Sequence, residues 1–209
     1  LNPKAHMQKK ITVDDVMNSA VVASPLKLYD CCPFSDGASS VILCSEKFAK
    51  AHGGDYVEVI GSGRGGSPAA LQGREHMTTI PSTKIAAKAA YDMAGITAKD
   101  VDFAEVHDCF TIAEVVDTED LGFFGKGQGI QAIREDRTKL NSDISINPSG
   151  GLKSKGHPIG ATGVGQVVEV YDQLTGNAGA RTVKDAKIGL THNFGATGAS
   201  CAVHVFQSV

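Results

Sequence analysis

Short β-branched apolar runs alternate with helical patterns along the chain. This alternation predicts an α/β layered domain around a largely central, buried sheet. The 209 residues are 42% apolar and 21% charged, enough for one substantial core or one and a half smaller ones. The net charge of −3 opposes a nucleic-acid or polybasic membrane surface. No apolar run approaches bilayer-crossing length, and no signal-peptide pattern opens the chain.

The elements follow in order. Residues 1–35 read as irregular, with prolines at 3, 25 and 33 around the helix-like ITVDDVMNSA. The turn Ser35-Asp36-Gly37-Ala38 feeds SSVILCS, expected as a buried strand. Residues 46–52 read as a short helix ended by Gly53-Gly54, where composition shifts and a domain boundary is expected. A strand is expected at 56–60. Residues 81–93 pattern as a helix with Ile85, Ala86, Ala89, Ala90 and Met93 on one face and Gly95 closing it.

A strand at 101–106 ends in His107-Asp108-Cys109-Phe110, and an acid-rich amphipathic helix at 111–121 follows. A brief strand at 144–146 leads into a glycine-rich run. Residues 163–174 read as a helix with Val164, Val167, Val168 and Tyr171 inward, capped by Gly176. Strands at 188–191 and 201–206, neighbouring and antiparallel, complete the chain. The opening at Leu1, with Asn2-Pro3, reads as the middle of a longer protein.

Four motifs bear on chemistry. Gly61 to Gly66 satisfies GxGxxG after a strand, but no clear helix follows, so a flexible exit loop is the better reading. His107 and Cys109 lie two apart and so share one face of an extended segment. A thiol near an imidazole can act as base, acid or nucleophile. Taken alone, the pair reads slightly better as a structural cysteine beside a capping histidine.

His157 sits between Gly156 and Pro158, amid glycines at 150, 151, 160 and 163. Held in that uncrowded turn at a helix entrance, its imidazole suits proton transfer or donation to a developing anion. A histidine simply packed in a turn is the alternative. The stretch His192-Asn193-Phe194-Gly195-Ala196-Thr197-Gly198 reads equally as a hairpin turn or as a source of backbone N–H groups for an oxyanion.

The five cysteines, at 31, 32, 44, 109 and 201, are odd in number and point to a reducing compartment. Cys31-Cys32 is no CxxC pair, so no zinc site is expected. Cys201 reads as core, and Cys31, Cys32 and Cys44 as structural.

HDCF, SGGLKSKGHPIGATG and HNFGATGA, in that order, resemble the C-terminal half of a thiolase. The branch is the sterol-carrier-protein-type and archaeal acetoacetyl-CoA thiolases, and the resemblance covers nearly the whole chain. It implies a thiolase-like layered αβαβα fold, with 1–54 as linker and end of the N-terminal domain and 55–209 as the C-terminal domain. The chain lacks the CxG motif that carries the acid/base cysteine in other thiolases; HNFG stands there instead.

The resemblance implies that Cys109 takes the acid/base role. It implies that His107 and His157 donate to an enolate oxygen, with His157 also activating a nucleophilic cysteine on the N-terminal half. Gly195 and Asn193 are the implied oxyanion candidates. Neither Cys31 nor Cys32 has the context of the nucleophile. The implied activity is Claisen condensation of acetyl-CoA units to acetoacetyl-CoA, or the reverse thiolysis of a 3-ketoacyl-CoA.

Coenzyme A thioesters are the implied substrates, with no covalently bound cofactor and no metal. The implied partners are the N-terminal half, in the same chain or a separate subunit, and further copies in a homodimer or tetramer. For an archaeal member, hydroxymethylglutaryl-CoA synthase and an OB-fold zinc-ribbon protein join them. A cytoplasmic location is expected, or a peroxisomal or mitochondrial one in a eukaryote. The competing expectation is a non-catalytic thiolase-fold subunit that scaffolds a partner.

Overall fold

A computed structural model describes residues 1–209. Its centre is a five-stranded mixed sheet built from β3 (Val57–Gly66), β4 (Phe103–Glu105), β5 (Ser145–Ile146), β6 (Ile188–Gly195) and β7 (Ser200–Ser208). The spatial order is β3-β7-β6-β4-β5. β7 runs antiparallel to both β3 and β6, whereas β4 runs parallel to β6 and β5. Parallel pairing requires crossovers, and helices supply them. The sequence expectation of an α/β layered fold therefore holds.

Strand alternation separates two cores. On one face Ala104, Leu190, Val203 and Val205 meet Ala86 and Ala90 of α3 (Pro81–Ala94) and Ala113 of α4 (Thr111–Asp120). On the other, Phe103 and Phe206 meet Val170 of α7 (Thr162–Leu174). His192 shares the α3 face with Leu190, and Asn193 lies on the α7 face.

The run 61–66 is not an exit loop. It is the second half of β3, and its glycines serve packing. An added Cβ at Gly61, Gly63 or Gly65 would lie 2.3, 2.0 and 1.9 Å from the carbonyl oxygens of Ala90, Ala86 and Ser82. Alternate glycines therefore let α3 sit directly on the strand. Gly63→Ala is expected to destabilise the domain by about 3 kcal/mol through overpacking against backbone that cannot yield. Denaturant titration checks this; an unchanged midpoint contradicts it.

The same close approach corrects the expected face of α3. Its buried residues are Ser82, Thr83, Ala86, Ala87 and Ala90, while Ile85 and Met93 are exposed. Small side chains fill the gap above the glycines, and the bulky ones turn out. The face of α7 also differs: Thr162, Gln166, Glu169, Val170 and Gln173 are buried, and Val164, Val167, Val168 and Tyr171 only half-buried. Its inward polar groups are paired. Arg181 donates from Nε and Nη2 to the two oxygens of Glu169 at 3.0 and 2.9 Å. Gln173 bonds Arg181 O and Val183 N.

Residues 1–54 add no strand to this sheet. They form α1 (Val13–Met17), the β1–β2 pair (Val21–Ala23 and Leu26–Lys27) and α2 (Glu46–His52). The expected buried strand SSVILCS is instead irregular and exposed: Ile42 is 90% and Leu43 79% accessible, and Cys44 is exposed with them. A strand needs a neighbouring edge to satisfy its backbone, and this segment pairs with none. Two short helices were not anticipated, α5 (Gly129–Arg134) and α6 (Gly151–Ser154). No helix is long and apolar enough to cross a membrane.

Candidate active site

Two loops leave the parallel pair β4–β5 at the same end and are tied together by buried polar groups. Val106 N donates to Asn147 Oδ1 at 2.8 Å. Glu105, fully buried, accepts from Ser149 N at 3.0 Å, Ser149 Oγ at 2.6 Å and Lys155 Nζ at 3.3 Å. Asp108 accepts from Leu152 N at 2.7 Å and Lys153 N at 3.3 Å. Gly151 (φ +59) makes this approach possible, since a Cβ there would lie 2.4 Å from Asp108 Oδ2. Acidic residues flanking His107 thus pull the 149–155 segment over it and deliver His157.

The two imidazoles meet edge to face, with ring centroids 5.0 Å apart at 84°. Phe194 packs on the other side of His107 at 4.5 Å. His107 is 6% exposed, and its Nδ1 has no hydrogen-bond partner. Burial, then the neighbouring His157, pushes its pKa down to about 4. Burial, then Lys155, also lowers His157. Both rings are therefore neutral at pH 7.

Thr162 Oγ1 donates to Pro158 O at 3.0 Å, so it must accept from His157 Nδ1 at 2.7 Å. That assigns the proton to Nδ1 and leaves Nε2 of His157 with its lone pair.

Cys109 stays tethered to His107, its N–H donating to His107 O at 2.9 Å while its carbonyl accepts from Cys32 N at 3.0 Å. Burial, with Asp117 next, pushes the half-buried thiol up to about 12. Asn193 turns toward α7, its Nδ2 donating to Gln166 Oε1 at 3.2 Å. Gly195 lies exposed at the end of β6, its carbonyl accepting from Gly198 N and Ala199 N. So His107 and His157 are brought into contact, Cys109 follows two residues after His107, and Asn193 and Gly195 point to other partners or to the rim.

Sequence reasoning missed the clamp of Glu105 and Asp108. A charged residue inside the apolar run of β4 was its available signal. In the acid-rich helix α4, Asp117 and Asp120 are buried and Glu114 accepts from Asn147 Nδ2.

Burial, then Glu114, raises Asp108 to about 7. Its folded pKa exceeds the unfolded value, so its favourable contribution is complete below about pH 4 and is lost as pH rises through 7. Asp108→Asn removes that dependence. The stability difference should therefore move by about 4 kcal/mol in favour of the variant between about pH 4 and pH 8. Denaturant titrations across that range test this; a pH-independent difference contradicts it.

A family model described as thiolase C-terminal domain-like matches residues 63–208. An acetyl-CoA acetyltransferase of Methanothermobacter thermautotrophicus is 49% identical over 206 residues, covering 99% of this chain and 54% of that protein. Human sterol carrier protein 2 is 39% identical over 215 residues, covering 95% of this chain and 37% of that protein. The chain thus spans about half the length, or less, of these curated relatives. Among solved structures, an Ltp2-ChsH2(DUF35) aldolase superposes with TM-score 0.88 at 22% identity, covering 99% of this chain and 54% of that one.

Proposed function

Because this chain belongs to the thiolase family, we propose that it supplies the acid/base half of a CoA-dependent C-acyltransferase. The reaction is condensation of acetyl-CoA units to acetoacetyl-CoA, or the reverse thiolysis of a 3-ketoacyl-CoA. In this reading residues 1–54 end the N-terminal domain and 55–209 form the C-terminal domain. The observation that carries it is the contact of two imidazoles, one with an unpartnered Nδ1, with Cys109 two residues along the chain from His107.

The chemistry then divides among these groups. His157 Nε2 takes the proton from a nucleophilic cysteine thiol that the N-terminal half contributes. The sulfur attacks the first acyl-CoA, the tetrahedral oxyanion collapses, and CoA leaves. Cys109, left as a thiolate once its proton has gone to the departing CoA sulfur, removes an α-proton from the second acyl-CoA and is a thiol again. The enolate carbon attacks the acyl-cysteine carbonyl and releases the cysteine.

The enolate oxygen is the energetic problem, and an oriented donor in a water-poor site is worth on the order of 3 kcal/mol. His107 and His157 face that task. Neutral His107 donates without carrying a charge into the buried site, and His157 donates once its Nε2 holds the proton taken from the cysteine. The high pKa of Cys109 keeps its proton on at neutrality, which suits return of a proton to the carbon during thiolysis.

A second reading takes the chain as a non-catalytic thiolase-fold subunit that binds a partner. The solved Ltp2-ChsH2(DUF35) aldolase, which shares the fold, motivates it. Incubating the purified intact protein with acetyl-CoA, and with acetoacetyl-CoA plus CoA, separates the two. Turnover in either direction supports the acyltransferase. No turnover, with a stoichiometric partner retained, supports the subunit.

A further inference from the structure

Behind the site lies a second buried cluster that the chemistry above does not use. Asp117 and His192 are fully buried. Both oxygens of Asp117 and Nδ1 of His192 lack any hydrogen-bond partner, and Oδ2 and Nδ1 face one another at 3.6 Å. That gap is just beyond hydrogen-bond length.

The proton positions follow from the neighbours. Thr83 Oγ1 donates to Cys201 Sγ at 3.7 Å and lies 2.9 Å from His192 Nε2. A hydroxyl has one proton, so Thr83 accepts from Nε2. His192 therefore carries its proton on Nε2 and presents a lone pair at Nδ1. An ionised carboxylate facing that lone pair would be repelled, so the geometry favours a protonated Asp117, whose O–H reaches Nδ1 with a small closing of the 3.6 Å gap. Burial, with Asp108, Asp120 and Glu114 nearby, raises Asp117 well above the usual carboxylate range. Burial, then His107, lowers His192 to about 3. Both shifts agree with a neutral pair.

The pair connects to the candidate site through rings. His192 packs against Phe194 with centroids 5.8 Å apart, and Phe194 packs against His107 at 4.5 Å. His107 in turn meets His157. Gln166 holds the strand beneath by donating to His192 O at 3.1 Å and Glu105 O at 3.3 Å.

We propose that Asp117 and His192 form a buried neutral pair, with Asp117 donating to His192 Nδ1, that positions Phe194 and through it His107. Both are positioning residues, and their role in turnover rests on the acyltransferase reading. An ion pair in the same place would need His192 doubly protonated, and Thr83 and Asp117 would then both accept.

The test is nitrogen-15 NMR of histidine-labelled intact protein, with kcat and KM measured alongside. The expected wild-type signature for His192 is a lone-pair Nδ1 and a protonated Nε2. Asp117→Leu should release that tautomer and lower kcat about tenfold with KM nearly unchanged. Asp117→Asn, whose amide donates from the same position, should rescue the tautomer and all but about threefold of kcat.

A His192 imidazolium, a proton on Nδ1, or an Asn variant that behaves like Leu overturns the pair. A leucine variant with full kcat overturns its positioning role. Should the leucine variant fail to fold, the wild-type and Asn spectra decide. The expected tautomer in a wild type without turnover supports the pair and overturns the acyltransferase reading.

Discussion

His157→Ala in the intact protein should depress both half-reactions, acyl transfer to the nucleophile and carbon–carbon bond formation. The expected loss in each is about 10²- to 10⁴-fold, the range for removing a positioned acid/base group. The basis is its assigned tautomer: with Nδ1–H donated to Thr162, Nε2 is free to accept the thiol proton. Once acylation is complete, the protonated ring is a donor beside His107, where the enolate oxygen is expected. Burst labelling with radioactive acetyl-CoA reads the first step, and steady-state condensation reads the sum. Loss confined to one step would split the roles assigned to this residue.

Cys109→Ala should behave differently. Condensation should fall by about 10²- to 10⁴-fold, while the acyl-enzyme still forms at a substantial fraction of the wild-type rate. Acyl transfer needs the nucleophile, its base and oxyanion donors; Cys109 is none of these, and water can protonate the departing CoA thiolate in its place. The carbon–carbon step needs a group that carries the α-proton, and Cys109 is the thiol tethered to His107. The same labelling experiment distinguishes the outcomes. Near-normal condensation by the alanine variant would make Cys109 a core cysteine, in keeping with its packing against the larger core.

The convergence of His107 and His157 was legible because local rules determine both. Each follows a strand, β4 or β5, and those strands pair in parallel, so their C-terminal ends lie together. The turn chemistry of Gly156 and Pro158 marked His157 as special without tertiary information. The strand and helix order was legible for the same reason, since apolar periodicity is local.

What periodicity missed was the choice of face on α3 and α7. On α3 the glycines of β3 select small inward residues, a partner effect that no helix pattern contains. On α7 the inward residues are polar because Glu169 and Gln173 find Arg181 and Val183 beyond the helix. SSVILCS has strand composition but pairs with no strand here. The Thr83, Asp117 and His192 cluster joins residues far apart in the chain. Each taken alone is an ordinary polar residue, and only tertiary structure shows that they share one buried space.

Exchange of the acetyl-CoA methyl protons with solvent deuterium tests the central claim most directly, because it needs only the α-proton step. Intact protein incubated with acetyl-CoA in deuterium oxide should wash deuterium into the acetyl group, detected by mass. Cys109→Ala should suppress that exchange by about 10²-fold or more, and His107→Ala should also slow it strongly, the first by removing the base and the second by removing an enolate donor. Wild-type exchange lost in both variants is the result this structure predicts. Exchange that proceeds undiminished without Cys109, or that never occurs in the wild type, would contradict it.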